Sequence, residues 1–202
     1  MFDTALRRII DPPLNRAGRT LAARGWGADR ITLAGLGLGL AAAALIAAGA
    51  PTGLALLPLL AGRLADGLDG AVARAHGKTD FGGYLDIACD FALYAAVPLA
   101  FALRAPDENA VPAAFLLATF YINAASFLGF ATMAAKRGLE TTAQGEKSLY
   151  YAAGLLEGGE TIAFFVLLCL WPAAFPAGAW VFGGLCLVTA TARILNARRL
   201  LG

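Results

Sequence analysis

The chain has 202 residues, of which 59% are apolar and 15% charged, and its mean hydropathy is +0.67. Soluble domains average roughly 45–50% apolar and about 25% charged, and here the apolar excess lies in long blocks, which excludes a disordered, collagenous, nucleic-acid-coating or soluble globular protein. The length suits about six membrane spans of roughly 20 residues with short connections, and the net charge of +2 conceals a strongly uneven placement of basic residues.

Residues 1–30 read as a cytoplasmic juxtamembrane segment. Phe2, Leu6, Ile9, Ile10 and Leu14 are mixed with Arg7, Arg8, Arg16 and Arg19, and Asp11-Pro12-Pro13 interrupts them. This pattern predicts an amphipathic segment of two short pieces on the membrane surface, arginines toward anionic headgroups. A solvated tail is the alternative. Residues 31–202 then read as one domain of six transmembrane helices. The spans fall near 31–50, 52–75, 81–104, 110–135, 149–171 and 177–200, so the predicted fold is an all-α polytopic membrane protein. Leu36, Leu38 and Leu40 alternate with glycine, but an open strand would leave its backbone unsatisfied in hydrocarbon. The 24 glycines suit close helix–helix contact in lipid. Cys89, Cys169 and Cys186 each lie in an apolar stretch, without metal-ligand spacing.

The basic residues set the expected orientation. Arg7, Arg8, Arg16, Arg19, Arg24 and Arg30 precede the first span. Arg74 and Lys78 border the second connection, and Lys136, Arg137 and Lys147 the fourth; Arg193, Arg198 and Arg199 close the chain. Arg63 lies nearer the middle of the second span, and Arg104 is alone on the other side. Both termini are therefore expected to be cytoplasmic.

Six carboxylates, Asp66, Asp69, Asp86, Asp90, Glu157 and Glu160, fall within or at the ends of these spans. Ionised groups in hydrocarbon are costly and normally face a wet cavity with a partner. Asp66 and Asp69 are i,i+3 on one face of the second span, and Asp86 and Asp90 are i,i+4 on one face of the third. An antiparallel hairpin of these two spans brings both pairs to similar depth, near the cytoplasmic end. Four crowded carboxylates repel one another. A hard divalent cation relieves that repulsion, and all-oxygen ligands favour Mg²⁺, Mn²⁺ or Ca²⁺ over zinc. Ions held this way are apparatus for phosphoryl transfer. Gly67 and Gly70 allow a phosphate to approach the backbone, and Arg74 could hold a diphosphate bidentately.

Asp66-x2-Asp69-Gly70-x2-Ala73-Arg74, followed by Gly82-x3-Asp86-x3-Asp90, resembles the signature of the CDP-alcohol phosphatidyltransferases. The interval from Arg74 to Gly82 is one residue shorter than the usual pattern. Thr32 matches a threonine that the family tends to carry before the first span, where the accompanying asparagine is absent. The resemblance implies metal-dependent transfer of a phosphatidyl group from a CDP-linked donor, such as CDP-diacylglycerol, to the hydroxyl of a small alcohol, with release of CMP. It implies Asp66, Asp69, Asp86 and Asp90 as ligands for Mg²⁺ or Mn²⁺, two ions per site, and Asp90 as general base. Asp66, Asp69, Gly70, Ala73, Arg74 and Thr32 would border the nucleotide and diphosphate. It further implies an inner-membrane homodimer with its active site toward the cytoplasm and no nucleic-acid partner.

Outside the signature, Glu157 and Glu160 read either as an acceptor pocket or as a polar contact between helices. Lys136, Arg137, Lys147 and Arg193 could hold an acceptor phosphate; positive-inside bias also accounts for Lys136 and Arg137. Asp80 is expected to cap the third span, His76 to be solvated, and Asn123 and Ser126 to bond between helices. A divalent-cation transporter and a prenyltransferase using Mg²⁺-diphosphate are the other readings of intramembrane carboxylates.

Overall fold

The computed structural model describes residues 2–138 and 158–202. Among them the protein is all-helical, with seven α-helices and no strand. It divides into two compact units, Met1–Ala100 and Phe101–Gly202.

The first unit holds α1 (Phe2–Ala23), α2 (Ala28–Ala47), α3 (Thr52–His76) and most of α4 (Asp80–Arg104). α1 is one helix, not the two pieces expected from Asp11-Pro12-Pro13. Proline's fixed φ near −65° is compatible with a helix, so the chain runs through both prolines at the loss of two ladder hydrogen bonds. Beyond them, Leu14, Asn15, Gly18, Leu21 and Ala22 form a partly or fully buried stripe at helical spacing, while Arg16 and Arg19 are exposed. The stripe packs on α3. A Cβ on Gly18 would lie 2.6 Å from the Ala71 Cβ, and one on Gly67 would lie 3.0 Å from Leu14 Cδ1. Ala22, Ile31 and Val72 close a small core shared by α1, α2 and α3.

α2 and α3 form a tight antiparallel hairpin. Gly49 ends α2 at φ +78°, a conformation that favours glycine. The helices cross at Gly35 and Gly62, where a Cβ on Gly62 would sit 2.8 Å from the Gly35 carbonyl oxygen. Small residues permit this backbone approach without a hydrophobic driving force. Gly77, at φ +102°, ends α3, and residues 77–79 connect it to α4. The Thr79 hydroxyl accepts the Gly82 N–H at 3.0 Å. Thr79, rather than the expected Asp80, is thus the cap; Asp80 is the first helical residue, where its charge suits the helix dipole.

The second unit contains α5 (Pro106–Lys136), α6 (Gly158–Leu170), a single 3₁₀ turn (Pro172–Ala174) and α7 (Phe175–Leu201). α5 packs along α7, with Gly183 against Phe115 and Thr119. Phe164 of α6 stacks on Phe182 of α7 at 4.3 Å between ring centroids. Cys89, Cys169 and Cys186 are free and buried.

Four described helical segments are long and apolar enough to cross a membrane: Ala28–Ala47, Asp80–Arg104, Pro106–Lys136 and Pro172–Leu201. α3 has the length but interrupts its apolar run with Arg63, Asp66, Asp69 and Arg74. α6 has 13 described residues, and the expected fifth span begins within 139–157, outside the described residues.

Candidate active site

The α2–α3 crossing sets the first pair. With Gly35 against Gly62, Thr32 on α2 comes opposite Asp69 on α3, and its hydroxyl donates to Asp69 Oδ2 at 2.5 Å. Asp69 is 6% exposed. A buried carboxylate needs such a partner, because an unsatisfied one would carry its full desolvation cost.

The α3–α4 face supplies the rest. Asp66 of α3 and Asp86 of α4 lie close enough for their charges to interact. One turn before Asp66, Arg63 extends its guanidinium between the helices. Nη2 contacts Asp66 Oδ2 at 2.9 Å, and Nη1 donates to Asp90 Oδ1 at 3.0 Å. The Tyr94 hydroxyl, one turn beyond, also donates to Asp90. Thr32, Gly35, Gly62, Arg63, Asp66, Cys89, Asp90 and Leu93 line a small cleft here. All four aspartates of the sequence pattern therefore gather in one region of the first unit and interact electrostatically. Arg63 and Tyr94 were not assigned roles from the sequence. Arg63 was legible, since Arg63, Asp66 and Asp69 are successive i,i+3 positions on one face.

Toward the end of α3, Arg74 is exposed but oriented. Its Nε and Nη2 donate to Asn15 Oδ1 of α1 at 3.2 and 2.7 Å. His76 is the last residue of α3, not part of a free loop, and its Nε2 bonds the Ala22 carbonyl at 3.1 Å. Gly70 and Ala73 lie on the same helix between Asp69 and Arg74; the space over Gly70 is bordered by Arg74 Nη1, 3.5 Å from where a Cβ would be.

The acceptor candidates belong to the second unit or to undescribed residues. Lys147 and Glu157 lie outside the described residues. Glu160 lies in the first turn of α6. Arg137 Nη1 donates to the Leu200 carbonyl at 3.4 Å. Arg193 is 6% exposed, and its Nη1 donates to Asn123 Oδ1 at 2.8 Å, to Ser126 Oγ at 2.7 Å and to the Asn123 carbonyl at 3.1 Å. Its guanidinium also lies 5.6 Å from the Phe127 ring centroid. Asn123 and Ser126 thus bond across helices as expected, joining α5 to α7.

The oxygen-only donor set of Asp66, Asp69, Asp86 and Asp90 fits a hard divalent cation. Among the described residues no three carboxylates form a ready cage for one. In this arrangement a guanidinium joins the carboxylates of the two helices. What the site offers chemically is concentrated negative charge beside a glycine-lined helix and an oriented arginine.

Apolar helices of membrane-crossing length that carry this acidic cleft belong to an integral membrane protein. The CDP-alcohol phosphatidyltransferase family profile matches residues 27–192, and the chain belongs to that family and is an enzyme of its type. It is 45% identical over 194 residues to the inner membrane protein YnjF of Escherichia coli (strain K12), covering 96% of this chain and 94% of that protein. Its fold is similar to that of Mycobacterium tuberculosis phosphatidylinositol phosphate synthase (PgsA1) with CDP-DAG bound, with TM-score 0.71 and 22% identity, covering 91% of this chain and 92% of that one. The same enzyme in complex with manganese and citrate gives TM-score 0.69 at 22% identity, over 91% and 88% of the two chains.

Proposed function

We propose that this enzyme transfers a phosphatidyl group from CDP-diacylglycerol to the hydroxyl of a small alcohol and releases CMP, within an inner membrane that α3 and α6 also cross, making six spans. Both termini and the acidic cleft face the cytoplasm, α1 lies along the membrane surface, and the chain functions as a homodimer. The observation that carries this reading is the gathering of Asp66, Asp69, Asp86 and Asp90 from α3 and α4 into one region, with Asp66 and Asp90 lining the cleft and Asp69 held by Thr32.

Asp66, Asp69, Asp86 and Asp90 would hold Mg²⁺ or Mn²⁺, two ions per site, which when bound neutralise the diphosphate and polarise its phosphorus. Arg74, fixed by Asn15, binds the diphosphate, and Gly70 and Ala73 let it approach α3. Thr32 holds Asp69 in place. Asp90 accepts the acceptor's hydroxyl proton as that oxygen attacks the lipid-side phosphorus; the bond to the bridging oxygen breaks, and CMP carries that oxygen away. A base in this role must be unprotonated and within hydrogen-bond reach of the hydroxyl. Glu160, Arg137 and Arg193, with Lys147 and Glu157, are the acceptor-binding candidates.

Supporting this reading are the family membership, the membrane location named for the Escherichia coli relative, and the CDP-DAG and manganese named for the Mycobacterium tuberculosis structures. The test is purified full-length protein in nanodiscs with CDP-diacylglycerol, Mn²⁺ or Mg²⁺ and a pool of candidate alcohols. CMP release and a new phospholipid by mass spectrometry are the expected result. No CMP from a broad acceptor panel, together with no binding of CDP-diacylglycerol, would overturn the reading.

A further inference from the structure

The Arg63 guanidinium is the only arginine group that the described residues give to two aspartates of the cleft. It is half-buried, with about a quarter of its side chain exposed, and its two Nη atoms reach different helices: Asp66 on α3 at 2.9 Å and Asp90 on α4 at 3.0 Å. A guanidinium is a rigid planar fork and does not give up its charge. An arginine on a membrane helix is tolerated when it is paired, and carboxylates crowded in a cleft need a cation of some kind. Arg63 meets both needs at once.

We infer that Arg63 is a resident cation of the cleft, which ties α3 to α4 through Asp66 and Asp90 when no divalent ion is bound and competes with that ion for the same two carboxylates. The inference rests on the metal-binding role proposed above for Asp66 and Asp90. Two cations drawing on the same carboxylates oppose one another, and that coupling is reciprocal: whatever Arg63 contributes to the metal-free state it subtracts from metal affinity. Arg63 is therefore a positioning residue that acts through the aspartates.

The test is Mn²⁺ binding to the full-length protein in nanodiscs, read by the loss of the free-Mn²⁺ electron paramagnetic resonance signal, together with thermal unfolding in EDTA. Arg63→Gln is expected to bind Mn²⁺ about tenfold more tightly than wild type, within the range usual for coupled sites. In EDTA it should melt earlier than wild type, and saturating Mn²⁺ should close that gap. Arg63→Lys keeps the charge but has a single ammonium in place of the fork, so its Mn²⁺ affinity should fall between the two; it also serves if Arg63→Gln does not fold. A wild type that binds Mn²⁺ while both variants bind it equally or more weakly overturns the competition alone. A wild type that takes up no Mn²⁺ overturns the metal reading itself and the competition with it.

Discussion

Thr32 and Asp69 are bonded at 2.5 Å across the α2–α3 hairpin, 37 residues apart in sequence. The bond links the start of the first apolar helix to the second aspartate of the motif, and it exists because Gly35 and Gly62 let the two backbones touch. Replacing Thr32 by Val keeps the shape and removes the donor. A buried carboxylate then loses a partner, at a cost of about 1–3 kcal/mol. Thr32→Val should therefore lower the melting temperature and turnover in nanodiscs, and Thr32→Ser should restore most of both.

The crossing itself is the second target. A Cβ at Gly62 meets the backbone oxygen of Gly35 at 2.8 Å, and backbone has no rotamer to yield. Gly62→Val should cost about 1–3 kcal/mol through overpacking and reduce turnover by displacing Asp66 and Asp69 from α2. Gly53→Ala, where a Cβ meets nothing within 4 Å, is the control and should leave melting temperature and CMP release nearly unchanged.

Asp90 separates chemistry from binding. Asp90→Asn removes the proposed base yet keeps the side chain's size and an oxygen for Arg63 and Tyr94. Turnover should fall at least about 100-fold, while CDP-diacylglycerol binding measured by calorimetry should be largely retained. Asp66→Asn should instead weaken Mn²⁺-dependent binding. Equal loss of donor binding in both variants would remove the distinction between base and ligand.

Asn15 contacts Arg74 from another helix. Asn15→Ala frees the guanidinium to rotate and costs one charge-assisted contact, about 1.5–3 kcal/mol when such a bond is lost. The expected signature is a rise in KM for CDP-diacylglycerol of roughly tenfold or more, with a smaller change in kcat. Asn15→Asp, which keeps an acceptor for Arg74, should recover most of the affinity.

Much of this cleft was legible in the chain. Intervals of three and four residues place Asp66 with Asp69 and Asp86 with Asp90 on single helix faces, and the short connection at residues 77–79 brings the two helices together. Thr32 was also identified, although its bond to Asp69 depends on where α2 and α3 cross. What escaped was of two kinds. Asn15 lies 59 residues from Arg74, so no periodicity links them. Arg63 stood out in the sequence only as a basic residue near the middle of a span; its i,i+3 relation to Asp66 carried the better information. The prolines misled in the other direction. Pro12 and Pro13 resemble a break, yet the helix accepts their φ and continues.

The seating of α1 has a practical consequence for anyone shortening the gene. Gly18 against Ala71, Leu14 over Gly67 and Asn15 on Arg74 make this helix one wall of the unit that carries the acidic cleft. A version starting at α2 would uncover that side of α3 and release Arg74, so deletions into α1 would cripple the enzyme even with every aspartate intact.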